Sequence, residues 1–177
     1  MDEKKHIKLS LATTICIVII LLLVVSLIIT VYYYNSINKE EKHIPITSEN
    51  FKNYIGQHQF NVYNALNYLD DSTFKEGVKV GYLTEKNDNK DFQVNFFEFK
   101  DEAHTMYAYY DEIISIEKNN NGEFIETNEN ISNYSKYTAF SNGYYYVMIK
   151  IDNTIIFTKI EKDNKEVVDN LLQELGY

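Results

Sequence analysis

From Leu9 to Val31 the chain runs for 23 residues without a charge, most of them Leu, Ile or Val. As a helix rising about 1.5 Å per residue, such a run reaches roughly 34 Å. A bilayer's hydrocarbon core is about 30 Å thick, so the run is long enough to span it with slight tilt. A cleaved secretory signal has a shorter apolar region, about 7–15 residues, closed by a pair of small residues at the cleavage site. Here the run ends in Thr30-Val31-Tyr32-Tyr33-Tyr34, which offers no such pair. The three tyrosines suit the headgroup layer instead. Cys16 lies early in the run, away from where a lipid-modified cysteine would sit. A retained transmembrane helix over residues 9–34 is therefore expected. Lys4, Lys5 and Lys8 precede it, whereas Lys39 and Lys42 beyond it are interrupted by Glu40 and Glu41. That bias predicts residues 1–8 as a cytoplasmic basic flank and places the rest of the chain outside the cytoplasm, in the cell membrane as a single-pass protein.

Beyond the helix the chain carries 24 acidic residues against 14 Lys and has no Arg, no Trp and no Cys. A surplus of negative charge without Arg argues against nucleic acid or anionic lipid headgroups as partners. Without cysteine there is no disulfide framework, thiolate metal site or cysteine nucleophile. Residues 35–46 read as a charged spacer ending at Pro45, which holds Ile44 extended. Residues 47–177 are long enough for one domain with its own core.

Within that domain, Thr47 or Ser48 can cap a helix carrying Phe51, Tyr54 and Ile55, closed by Gly56. Residues 57–76 mix strand and helix spacing and stay open. Val78, Val80 and Tyr82 alternate on one side of a strand, and Phe92, Val94 and Phe96 alternate along the returning one. Asp101 caps a helix to about Lys118, with Ala103, Met106, Tyr110, Ile113 and Ile114 on one face. Residues 119–123 read as a loop. Three strands follow, roughly 132–141, 144–151 and 154–160, joined at Asn142-Gly143 and Asp152-Asn153 by two-residue turns. Asp163 and Glu166 have capping-box spacing before a last helix with Val167, Val168, Leu171, Leu172 and Leu175, ended by Gly176. The expected fold class is α+β: an N-terminal transmembrane helix, then a mostly antiparallel sheet of about five strands with two to three packing helices.

Catalytic patterns are weak. His6, His43, His58 and His104 lack metal-ligand spacing. Asn87, Asn89, Asp91 and Glu98 sketch a calcium loop, but its sixth position, where the turn needs glycine, is Phe92. Asp70-Asp71 and Asp111-Glu112 are acid pairs whose members point apart, with no apolar cleft marked beside them, so they read as solvated surface. No Gly-x-Ser-x-Gly elbow or phosphate-cradling glycine loop occurs. The expectation is a non-enzymatic binding or interaction domain without metal or cofactor; the alternative is an envelope hydrolase whose site is not recognisable from sequence.

The turns also fix register. Tyr145, Val147, Ile149 and Ile151 share one sheet face with Phe140, Ile156 and Ile160, suited to burial under the last helix. The other face gathers Tyr137, Ala139, Tyr144, Tyr146, Met148, Ile155 and Phe157, edged by Lys150 and Lys159. A solvated face of an antiparallel sheet should be polar, and this one is not. Either a helix or the 57–76 segment covers it, or it is exposed. In the exposed case Tyr137, Tyr144, Tyr146, Met148 and Phe157 form the candidate face for a protein partner.

Phe97 and Phe99 in an F-x-F strand, Asn153-Thr154 opening a later strand, and the terminal Leu175-Gly176-Tyr177 make residues 92–177 resemble a loose set of small envelope proteins of low-G+C Gram-positive bacteria. Members of that set carry a signal or membrane anchor and no assigned activity. The resemblance implies location and fold, and transfers no functional residue.

Overall fold

The computed structural model describes residues 11–37, 42–69, 73–122 and 124–177. Lys4, Lys5, Lys8, Lys39 and the Asp70-Asp71 pair lie outside the described residues. The chain divides into two units, residues 1–41 and 42–177.

In the first unit, helix α1 spans Leu11–Ile37. Its stretch Thr13–Tyr34 is long and apolar enough to cross a membrane. Two of its polar side chains close bonds within the helix. Ser26 Oγ donates to the Leu23 carbonyl and Thr30 Oγ1 to the Ser26 carbonyl, each at 2.8 Å. A hydroxyl satisfied this way places little demand on an apolar medium.

In the second unit, α2 (Ser48–Gln57) begins where Thr47 Oγ1 accepts the Asn50 N–H. Strand β1 (Phe60–Asn64) and a 3₁₀ turn (Ala65–Asn67) follow. Then come a one-turn helix α3 (Thr73–Gly77), β2 (Val78–Lys86), β3 (Phe92–Phe99) and α4 (Glu102–Lys118). The chain continues through β4 (Ile125–Ile131), β5 (Tyr134–Ser141), β6 (Tyr144–Ile151) and β7 (Thr154–Glu161), and ends in α5 (Lys165–Glu174). The strands form one antiparallel sheet in the order β1-β2-β3-β7-β6-β5-β4. It has seven strands rather than about five, because β1 and β4 join its two edges. β4 reads Ile-Glu-Thr-Asn-Glu-Asn-Ile and is exposed throughout, so it lacks the apolar alternation that marks a half-buried strand.

The two hairpins have the expected register. Ser141 faces Tyr144 across Asn142-Gly143, where both turn residues have positive φ, as a type I′ turn requires. Ile151 faces Thr154 across Asp152-Asn153. One sheet face carries Val147, Ile149, Ile151, Ile156 and Ile160 against Phe51 and Ile55 of α2 and Val168, Leu171 and Leu172 of α5. The other carries Phe97, Phe99, Tyr137, Ala139, Met148 and Ile155 against Ala108, Tyr109, Ile113 and Ile116 of α4. Helices thus cover the sheet on both sides.

Three local expectations are corrected. The pairing of β2 with β3 shifts between Val78 and Val80. That irregularity puts Val78 in the α4-side core and Tyr82 against the opposite one, so the two do not share a side; one extra residue exchanges the faces of a strand. α4 is rotated from the expected face: Thr105, Ala108, Tyr109, Ile113 and Ile116 are buried, while Tyr110 and Ile114 are exposed. Its sequence is apolar most of the way round, so spacing alone does not choose a side. Thr105 can go inward because its Oγ1 donates to the Asp101 carbonyl at 2.8 Å. Finally, Asp163 lies in a 3₁₀ turn, and no side-chain hydrogen bond caps α5.

At the other end of α5, the Gly176 N–H donates to the Gln173 carbonyl and the Tyr177 N–H to that of Leu172, with Gly176 at φ +86°. These are the paired bonds of a Schellman cap. The Leu-Gly-Tyr terminus is thus a stop for the helix. The Tyr177 hydroxyl also accepts the Ile46 N–H at 3.3 Å.

Candidate binding recess

Where α4 leaves the sheet it does not close over all of it. A recess of about 340 Å³ remains, floored by Asn95 and Phe97 of β3, Met148 of β6, and Ile155 and Phe157 of β7. Ala108, Asp111 and Glu112 of α4 form one wall, and Leu69 and Phe74 the opposite one. Phe74 is fixed edge-on to Phe97 and Phe99, with centroids 5.3 and 5.5 Å away. The Leu69 wall is held through Ala65, whose methyl lies so close to Gly81 that a Cβ there would meet it at 2.8 Å.

Polar groups of the floor are satisfied from below. Asn95 Oδ1 accepts the Thr84 N–H at 2.8 Å, and Thr84 Oγ1 donates to the Val94 carbonyl at 2.7 Å. Glu112 is different. It stands in line with Ala108 and Ile116 at four-residue intervals, toward the buried side of α4. Burial pushes its carboxyl above the usual range, and the neighbouring Asp111 adds to this. The solvated-surface reading of Asp111-Glu112 is therefore corrected: an apolar cleft does lie beside them. Its far wall comes from Leu69 and Phe74, both within residues 57–76, where the spacing is ambiguous. The line Ala108-Glu112-Ile116 was the available signal.

The five candidate partner residues separate. Tyr137 is fully buried and Met148 only 1% exposed, because α4 covers them; they are core, not surface. Tyr144, Tyr146 and Phe157 remain half-exposed. They form a row with centroid spacings of 6.3 and 6.4 Å, continuous with the recess through Phe157. The Tyr144 hydroxyl donates to Asp91 at 3.0 Å, which raises its phenol above the ordinary range. Lys159 Nζ sits 4.4 Å from the Tyr144 ring centre. Lys150, expected to edge this face, is buried to 3% exposure with its ammonium 3.6 Å from Glu102 Oε1. A buried stem with its head at the rim is common for lysine.

Outside the recess, Tyr107, Tyr110 and Ile114 make an exposed stripe along α4. Asp111 falls on the same side by helical spacing, so stripe and recess share a border. Among the described residues no group of three His, Cys, Asp or Glu side chains comes together as a metal site would require. The arrangement offers apolar and aromatic contact with carboxylates at the edge. Comparison with protein-family models, curated proteins and solved structures gives no match.

Proposed function

We propose that this is a single-pass membrane protein with its N-terminus in the cytoplasm, whose second unit is a non-enzymatic binding domain displayed outside. The recess under α4, with the Tyr144-Tyr146-Phe157 row leading into it, is the contact surface. The observation that carries this reading is an open apolar recess bordered by Asp111 and by a Glu112 whose carboxyl is raised by burial. Concave apolar sites with a few convergent polar groups are the usual form of ligand sites. The carboxylates favour a group with an apolar body and a cationic or hydrogen-bond-donating end, such as a side chain of an envelope protein partner. The length of α1 and the excess of lysine before it support the topology. The resemblance of residues 92–177 to Gram-positive envelope proteins supports the location.

The raised Glu112 carboxyl also suits a general acid, which keeps an envelope hydrolase as the second reading. Among the described residues of the lining, its carboxylate neighbour is Asp111, adjacent on the same helix, and no His, Cys or Ser is present.

A photo-reactive residue at Tyr146 in the full chain, expressed in its own membrane, tests the binding reading against the same residue at exposed Tyr68. A discrete adduct from position 146 alone is expected; equal adducts at both positions, or none, overturn it. For topology, Cys16→Ser with Lys52→Cys should react with a membrane-impermeant maleimide on intact cells. Labelling only after lysis overturns the orientation.

A further inference from the structure

β4 ends the sheet, and no described strand pairs with its outer side. Sheet edges are templates for pairing, and proteins usually blunt them with lysine, proline, bulges or short strands. β4 carries charge at Glu126 and Glu129 but no lysine, proline or bulge, and it pairs with β5 over seven consecutive residues without a register shift.

The direction of its free backbone groups follows from the neighbouring ladder. The Asp152 N–H donates to the Asn133 carbonyl at 3.1 Å, so odd-numbered positions of β5 bond toward β6. Antiparallel ladders alternate, which turns Tyr134, Lys136, Thr138 and Phe140 toward β4. Their partners Ile131, Glu129, Thr127 and Ile125 direct their backbone groups inward. Glu126, Asn128 and Asn130 direct theirs out.

We propose that β4 pairs antiparallel with β4 of a second copy of this chain, about a two-fold axis at Asn128. In that register Asn128 meets Asn128 of the second copy in a hydrogen-bonded pair, and Glu126 meets Asn130, so every outward backbone group is used. Between them Thr127 meets Glu129, and at both ends Ile125 meets Ile131. The two isoleucines, 54% and 44% exposed in one chain, cover each other, and no two carboxylates stand opposite. Sliding by one pairing step in one direction sets Glu129 against Glu129; in the other it sets Ile125 against Glu129 and leaves Ile131 alone. Like charges directly opposite destabilise a ladder. The strand is thus complementary to itself in a single register, which favours a second copy over an unrelated strand.

The test uses the full chain with Cys16→Ser, in its own membrane under mild oxidation. At Asn128→Cys the two Cα atoms would lie about 5.5 Å apart in a hydrogen-bonded pair, within disulfide reach. At Glu126→Cys the two copies would be offset by four residues, about 13 Å, out of reach. Disulfide-linked dimer is expected at least about tenfold faster for Asn128→Cys, and co-expressed Glu126→Cys and Asn130→Cys chains should link to each other. Equal rates for Asn128→Cys and Glu126→Cys, or no dimer from either Asn128→Cys or the mixed pair, overturn the proposal. Asn128→Pro provides a second measurement. It removes an outward N–H while sparing the bonds to β5, so sedimentation of the detergent-purified chain should show lost self-association, with an unfolding midpoint equal to wild type at concentrations low enough for both to be monomeric. Self-association equal to wild type overturns the proposal.

Discussion

Asn133 brackets His43 from both sides of one residue: its Oδ1 accepts the His43 N–H at 3.1 Å, and its Nδ2 donates to the His43 carbonyl at 2.8 Å. The same amide reaches Asp152 Oδ1 at 3.0 Å, and the His43 ring stacks on Tyr134 at 4.3 Å. The end of the segment read as a spacer is therefore pinned to the β4–β5 turn. Asn133→Ala should cost about 1–3 kcal/mol, the scale of lost hydrogen bonds with groups left unpaired. Limited proteolysis should then cut near residues 43–46 sooner than in the parent chain. Unchanged cutting would mean the stacking on Tyr134 and the Tyr177–Ile46 bond suffice alone.

Burial separates the candidate tyrosines energetically. Tyr137→Ala truncates a fully buried aromatic and should cost about 3–5 kcal/mol in denaturant unfolding. Tyr144→Ser, on the half-exposed row, should cost under about 1 kcal/mol. Similar losses at both positions would contradict the placement of Tyr144 at the rim.

The Glu112 carboxyl titrates higher in the folded chain than its ordinary value of 4.5. The folded state therefore holds a proton that the unfolded chain releases. The associated stability is complete below pH 4.5 and lost as pH rises through the folded value. Glu112→Gln should then be more stable than the parent at neutral pH and converge with it in acid. Parallel stability–pH curves for the two would show that Glu112 is not desolvated by the fold.

Tyr109 is buried, and its hydroxyl is, among the described residues, the one buried side-chain polar atom without a hydrogen-bond partner. Tyr109→Phe removes a desolvated donor and keeps the ring, so a gain of about 1 kcal/mol is expected in thermal or chemical unfolding. A loss of that size would reveal a partner for the hydroxyl.

Gly81 is the contact that sets the recess wall. A methyl there collides with the Ala65 Cβ at 2.8 Å and approaches Phe97 at 3.1 Å, and neither can swing aside as a long side chain would. Gly81→Val should destabilise by about 1–3 kcal/mol, as overpacking does. It should also lower photo-crosslinking from position 146 if the recess is the contact surface.

Where the chain announced its own geometry, the reading was close. Asn142-Gly143 fixes a turn, a turn fixes register, and register sorts every residue of β6 and β7 to a face. Asp101, whose side chain accepts the His104 N–H at 3.0 Å, marked the start of α4 to the residue. The misses have common physics. β4 is an exposed edge whose side chains answer to water, so no periodicity records it. α4 is apolar on several sides, and only the shape of the sheet beneath selects Tyr109 over Tyr110. The recess depends on Leu69 and Phe74 standing opposite α4 residues that lie far along the chain, which no local pattern encodes.

β7 is the last strand in the chain and lies at the centre of the sheet, between β3 and β6. During synthesis, β1 to β3 emerge early with the Val94 and Phe96 edge unmatched, while β4 to β6 can assemble as a separate meander. Until residues 154–161 arrive no described strand bridges these halves, which α4 and side-chain contacts such as Tyr144–Asp91 and Asn133–His43 join. A stop codon ahead of Thr154 would not trim this domain but leave it in two pieces. The nascent chain must be kept from premature pairing until residues 154–161 have left the ribosome.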